Sequence, residues 1–262
     1  MTAIRAFHAV ALREVVRVAR QPSRIVAAIG TPALIGAFFA GGFAASLRST
    51  SDDASLPYTL FLLPGMVTLT ATFSAIFSAI SLIHDRHEGF LQSAIVSPAP
   101  SWAVALGKAV GGSVVAFAQC AALLALAPLL TGADVRITPA GLALALLAAM
   151  CATFAVTGLG MALAWKVNSV EGFHGVMNLV LMPMWLLSGA LFSADTAAGW
   201  LATLIRLNPL CYVTRAMRDA LARHPADALA WTVTVGFALA GLAAAVIAMA
   251  RAWRPGGANN PA

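Results

Sequence analysis

Leu82–Lys108 reads LIHDRHEGFLQSAIVSPAPSWAVALGK. It is the most charged and turn-rich stretch between two long apolar runs. Asp85, Arg86, His87 and Glu88 stand together, followed by Gly89, a short apolar piece, Ser97-Pro98-Ala99-Pro100 and then Gly107-Lys108. A polar knot between apolar runs marks a loop at a membrane surface. An outside protein can take hold of such a loop.

Composition supports that reading. Sixty per cent of the 262 residues are hydrophobic, ten per cent are charged and the mean hydropathy is +0.86. A soluble domain carries about 25% charged residues. The chain therefore reads as an all-α polytopic membrane protein. The net charge of +6 fits arginines that set topology at the membrane surface. No basic patch with interleaved aromatics points to nucleic acid. Three cysteines, Cys120, Cys151 and Cys211, form no pairing or CxxC pattern, so neither a disulfide framework nor a structural metal is expected. The first 24 residues are too charged for the apolar core of a signal peptide.

Six apolar runs are legible, at 25–47, 58–83, 109–130, 139–165, 173–192 and 228–250. Each is near or above the ~20 residues that cross a ~30 Å hydrocarbon core as a helix. Ahead of them, residues 3–24 predict an amphipathic helix. Arg13, Arg17, Arg20 and Arg24 form one stripe, and Ile4, Phe7, Ala11, Val15 and Val18 form another. Such a helix is expected to lie in the interface plane with its arginines toward headgroups. Ten Lys and Arg residues fall on the side of the N-terminus, the 84–108 loop, Lys166 and the C-terminal tail. Both termini are therefore expected in the cytoplasm, and the expected location is the cytoplasmic (inner) membrane. Ser193–Asp227 falls on the other side yet carries Arg206, Arg215, Arg218 and Arg223. Its two amphipathic stretches predict a pair of short helices dipping into the outer leaflet.

Two motifs then carry a resemblance. Asp85-Arg86-His87-Glu88-Gly89, Leu91–Val96, Pro98 and Gly107-Lys108 resemble the cytoplasmic loop of ABC-2 type exporter permeases. Ser188-Gly189-Ala190-Leu191-Phe192, then Asn208-Pro209-Leu210 and Tyr212, ending at Arg218, resemble the C-terminal half of that family, in its drug-resistance and nodulation lipo-oligosaccharide branch. Arg13-Glu14-Val15-Val16-Arg17 is similar to its N-terminal elbow helix. The resemblance implies a single transmembrane domain over 1–262, with an elbow helix at Arg13, Arg17, Arg20 and Arg24. It implies an ATPase-coupling loop at Asp85, Arg86, Glu88, Gly89, Pro98, Gly107 and Lys108. It also implies an outer re-entrant element at Ser188, Gly189, Asn208, Pro209, Tyr212 and Arg218. The partners so implied are a nucleotide-binding ABC ATPase, which would bind the ATP and Mg, and a second permease copy, with the lipid bilayer around them.

The residues themselves exclude other chemistry. No Asp, Glu, Lys or Arg lies between the ends of the six runs. Ion-coupled carriers normally need such groups, so the energy for transport is expected from a partner. Gly107-Lys108 is followed by Ala, and position 102 is Trp, so no P-loop is present. His84 and Glu88 share a helix face, but no third strong metal ligand is evident nearby. No catalytic constellation is recognisable, and an enzyme is not expected. Thr70, Ser74, Ser78 and Ser81 recur on one face of the second run, with Gln119 and Asn178 as further amides within apolar runs. These either pack spans together or line a substrate path. The expected function is the permease subunit of an ATP-driven exporter of an amphipathic substrate. A non-transport membrane scaffold is the alternative.

Overall fold

The structure is a computed structural model and describes residues 3–47, 58–96, 99–128, 137–191 and 197–252. Pro98, Phe192, Arg48, Arg136 and Arg254, which figure in the sequence reading, lie outside the described residues. Among the described residues eleven α-helices build the fold. They are α1 (Ala3–Ala19), α2 (Pro22–Leu47), α3 (Tyr58–His87), α4 (Phe90–Val96), α5 (Ser101–Ala125), α6 (Pro139–Ala164), α7 (Val170–Val176), α8 (Met182–Leu186), α9 (Gly199–Leu207), α10 (Pro209–Ala222) and α11 (Ala228–Ala252). A π-helical segment, Met177–Leu181, joins α7 to α8.

Five helices are long and apolar enough to cross a membrane: α2, α3, α5, α6 and α11. A helix pairs its own backbone groups, as a bilayer core requires, and only Pro32 of α2 and Pro64 of α3 interrupt that ladder inside the five. The central one is α3, buried along most of its length among α2, α5, α6 and α10. Small residues bring the helices together. A Cβ on Gly158 of α6 would stand 2.2 Å from Gly241 O of α11, and one on Gly241 would stand 2.4 Å from Ala155 O. Close backbone approach of this kind drives helix association where lipid removes the hydrophobic force.

The run at 173–192 is not one straight span. Pro183 has no N–H to donate to Leu179 O, so the ordinary ladder cannot pass through it. The chain takes i→i+5 bonds over Met177–Leu181, with Met182 N–H donating to Met177 O, before one more α turn. It ends at Gly189, whose φ of 71° needs the left-handed region open to glycine. The π segment also changes which side chains face inward. Asn178, an amide within an apolar run, is exposed together with Leu179.

The 84–108 segment is mostly helix rather than loop. α3 runs on to His87, a two-residue turn follows, and α4 begins at Phe90. Gly89 makes that turn with a φ of 77°, and its carbonyl accepts from Ser93 N at 3.0 Å. α5 starts at Ser101, two turns before the run of apolar residues that begins at Ala109. Lys108 therefore lies inside a helix.

Candidate functional site: an ion cluster joining three helices at the basic end

α1 ends at Ala19, and Pro22 opens α2, where its missing N–H is harmless. α1 does not lie across the bundle as an isolated surface helix. It runs parallel to the start of α5. A Cβ on Gly107 would meet Phe7 O at 2.7 Å, and one on Gly111 would meet Ala11 O at 2.7 Å. Four residues on one helix advance with four on the other, which fixes the parallel register. The Gly107-x-x-x-Gly111 pair is thus the seat of α1.

The buried stripe of α1 is Ala6, Val10, Glu14 and Val18. Ile4, Leu12 and Val16 are exposed. The stripe turns in that direction because of charge. Arg13 and Arg17 point toward α3, where the Asp85 carboxylate is fully buried. Arg13 bonds Asp85 through both terminal nitrogens, at 2.9 and 3.1 Å. Arg17 Nη1 donates to Asp85 Oδ1 at 2.7 Å and to Ser81 Oγ at 2.9 Å. The Lys108 ammonium, from α5, bonds Asp85 and reaches Glu14 Oε1 at 2.5 Å. Ser81 Oγ donates to Glu14 Oε2 at 3.2 Å. Glu88 lies 3.8 Å from Arg17 and is 59% exposed. Three cations so face three carboxylates, and the most buried members, Asp85, Glu14 and Lys108, are no more than 1% exposed. The Asp85 hydrogen bond raises the Arg13 pKa above its ordinary value, against the pull of burial.

Two further contacts extend the cluster. The Arg13 guanidinium stacks on the Phe90 ring of α4, 3.7 Å from its centroid, so one side chain touches α1, α3 and α4. Arg86 turns the other way. It donates to Trp165 O at 3.3 Å, Val167 O at 3.0 Å and Asn168 Oδ1 at 3.0 Å. His87 Nε2 meets Asn168 O at 2.9 Å. Arg86 thereby satisfies carbonyls left open at the end of α6, a role suited to arginine. The structure therefore divides the residues expected to form an outward docking surface. Asp85 and Lys108 are interior, Arg86 clasps the α6 end, and Glu88 with Gln92 and Ser93 of α4 remains exposed.

Glu14 is the member that sequence reasoning passed over, although it is the sole acid in residues 3–47. Its place at four-residue spacing from Val10 and Val18 was the available signal. Arg20 is exposed, while Arg24, on α2, donates to Gln21 Oε1 at 2.8 Å and to Phe77 O. Ser74 donates to Gln119 between α3 and α5. Ser78 sits against Gly112, its hydroxyl without a hydrogen-bond partner among the described residues. Among the described residues no group of three or more His, Cys, Asp or Glu side chains could hold a metal ion.

The second motif converges at the opposite end of α3. Asn208 Oδ1 accepts from Leu210 N at 3.0 Å, capping α10, and its amide donates to Met184 O. Pro209 takes the first helical position. The Tyr212 hydroxyl donates to Arg206 O at 3.0 Å, tying α10 to α9. Arg218 donates to Gly189 O at 2.8 Å and lies 3.8 Å over the Phe61 ring. Ser188 is fully buried. Trp185 Nε1 donates to Gly65 O at 2.9 Å, and Gly65 leaves room for Ala190 alone. These residues form one joint among α3, α8, α9 and α10.

Both motifs so have a defined place in one helical framework. A family profile for the ABC-2 type transporter matches residues 5–222 of the chain. The chain belongs to the ABC-2 type transporter family. It is a multi-pass membrane protein. The ABC-2 chain is 26% identical over 182 residues to an Escherichia coli (strain K12) protein named "Probable multidrug ABC transporter permease YbhR", which covers 68% of this chain and 48% of that relative. It is 27% identical over 220 residues to ycf38 of Porphyra purpurea, named as a transport permease, which covers 82% of this chain and 73% of that one. The chain spans about half the length of the E. coli relative. In this ABC-2 chain the profile covers α1 with its ion cluster and runs to the last residue of α10.

Proposed function

We propose that the chain is the permease subunit of an ATP-driven exporter, with ATP hydrolysis in a separate ABC ATPase that docks on α4. The observation that carries this is the joint at the basic end. There α1, the last turns of α3 and the start of α5 are held by buried ion pairs, and Arg13 extends the joint to α4. A push on α4 has a continuous path into two spans. The basic end faces the cytoplasm, as the concentration of Lys and Arg there requires, and both termini lie on that side of an inner membrane. α7, the π segment and α8 supply a sixth crossing. α9 and α10 form the outer re-entrant pair. Two copies assemble around one pathway.

The substrate is amphipathic and drug-, lipid- or glycan-like. The apolar spans and the word "multidrug" in the E. coli relative's name support this. The chain itself carries out no hydrolysis, and its partner holds ATP and Mg.

Affinity purification from native membranes in mild detergent, followed by mass spectrometry, tests the reading. A P-loop ATPase recovered in stoichiometric amount supports it. A stable complex that holds no ATPase replaces it with the scaffold reading.

A further inference from the structure

Among the arginines of the basic end that the ion cluster leaves out, Arg24 is part-buried without a carboxylate. Arg24 stands at the start of α2, and no carboxylate pairs with it among the described residues. Its terminal nitrogens bond Gln21 Oε1 and Phe77 O, and the guanidinium lies 5.1 Å over the Phe77 ring. Its Nε is buried with no hydrogen-bond partner. Arg24 lines a partly open crevice with Val18, Ser74, Ser78, Gly112 and Gln119. Ser78 is 6% exposed, and its hydroxyl too is unpartnered. A buried donor left unmade is costly. Two of them in one crevice, beside an uncompensated cation, call for an anionic acceptor.

The depth of the crevice says which anion. Residues 25–47 carry no charge, with Arg24 before them and Arg48 after them. At ~1.5 Å per residue they span about 35 Å, close to the ~30 Å hydrocarbon core. Arg24 therefore marks one edge of that core, where phosphates of the lipid headgroups lie. The positive dipole end of α2 lies at the same edge, although the Arg24 N–H itself is bonded to Gln21 O at 3.1 Å.

We infer that Arg24, Ser78 and the first turn of α2 form a binding site for the phosphate of a phospholipid headgroup. The inference rests on the chain's spanning a bilayer and is independent of the ATPase partner. A bound phosphate neutralises Arg24, accepts from its Nε and from the Ser78 hydroxyl, and pins the joint between α1 and α2. Gln119, held by Ser74, closes the inner wall.

The test uses the full chain, delipidated in detergent and titrated with phosphatidylglycerol, with lipid-bound protein counted by native mass spectrometry. Diacylglycerol of the same acyl chains and inorganic phosphate are parallel arms. Arg24→Gln is expected to weaken phosphatidylglycerol binding by about fivefold, the effect of one cation at an anionic surface. Arg20→Gln, at an exposed position outside the crevice, is expected to weaken it less than Arg24→Gln. Ser78→Ala is expected to weaken binding by a smaller factor. Arg24→Lys, which keeps the charge and loses the Nε donor, also weakens it and serves should the glutamine variant not fold. Inorganic phosphate that displaces the lipid at lower concentration keeps the phosphate chemistry but assigns a soluble source. Equal binding by wild type and both Arg24 variants overturns the site. So does an equal loss in Arg20→Gln, or diacylglycerol binding as well as phosphatidylglycerol.

Discussion

Replacing Lys108 with methionine keeps the aliphatic stem and removes the ammonium. In the structure that ammonium is bonded to both Glu14 and Asp85, and all three groups are buried. Asp85 keeps Arg13 and Arg17. Glu14 keeps only a 3.5 Å approach from Arg13 and the Ser81 hydroxyl. The variant so leaves one interior carboxylate without a close cation, a change that costs about 3–5 kcal/mol. Adding Glu14→Gln removes the stranded charge and leaves a neutral amide beside Ser81. The double variant Glu14→Gln/Lys108→Met is therefore expected to recover about half of the loss. Chemical denaturation of the purified protein, read as a double-mutant cycle, measures this coupling. A loss below about 1 kcal/mol for Lys108→Met, or a double variant no more stable than that single one, would refute the argument that the cluster is a closed, charge-matched unit.

Other outcomes follow from the same geometry. Gly111→Val puts side-chain atoms into Ala11 O and Glu14, 2.7 and 2.9 Å from the added Cβ. It is expected to unseat α1, seen as faster proteolysis in residues 3–20 while the later spans stay protected. Asn208→Ala removes both the α10 cap and the bond to Met184 O, and a stability loss of about 1–2 kcal/mol is expected in the same denaturation assay. Gly189→Ala forces a Cβ onto a φ of 71° and is expected to be destabilising by about 1 kcal/mol, with Arg218 losing part of its hold on the Gly189 carbonyl.

Much of this architecture is written in simple patterns. The five long spans follow from apolar length alone, and the bounds of α2, α6 and α11 fall within a few residues of the runs. The Asn208-Pro209 stop between α9 and α10 is equally local, because a cap and a proline act within one turn. What escaped depends on partners distant in sequence. Asp85 and Lys108 look like loop charges by composition. They are interior because α1 lies over them, 68 residues from Asp85 and 94 from Lys108 in the nearest pairings. The expected helix over 3–24 breaks at Ala19, so Arg20 and Arg24 leave the stripe; Arg13 and Arg17 do share a face, but periodicity cannot say whether they meet headgroups or a buried carboxylate. Asn178 lies in the i→i+5 segment ahead of Pro183, a local break in the 3.6-residue period that apolar length does not announce.

The central claim is that α4 carries the docking surface for a separate ATPase. Because Asp85 is buried, charge reversal there would break the fold and test nothing about docking. A photo-crosslinking residue at Gln92, exposed on α4, tests it directly. The control is the same residue at Thr203, exposed on α9 beyond the opposite end of α3. After irradiation of native membranes, the account predicts that Gln92 captures a P-loop ATPase and Thr203 captures none. Capture from Thr203, or none from Gln92 while the ATPase still co-purifies, would contradict it.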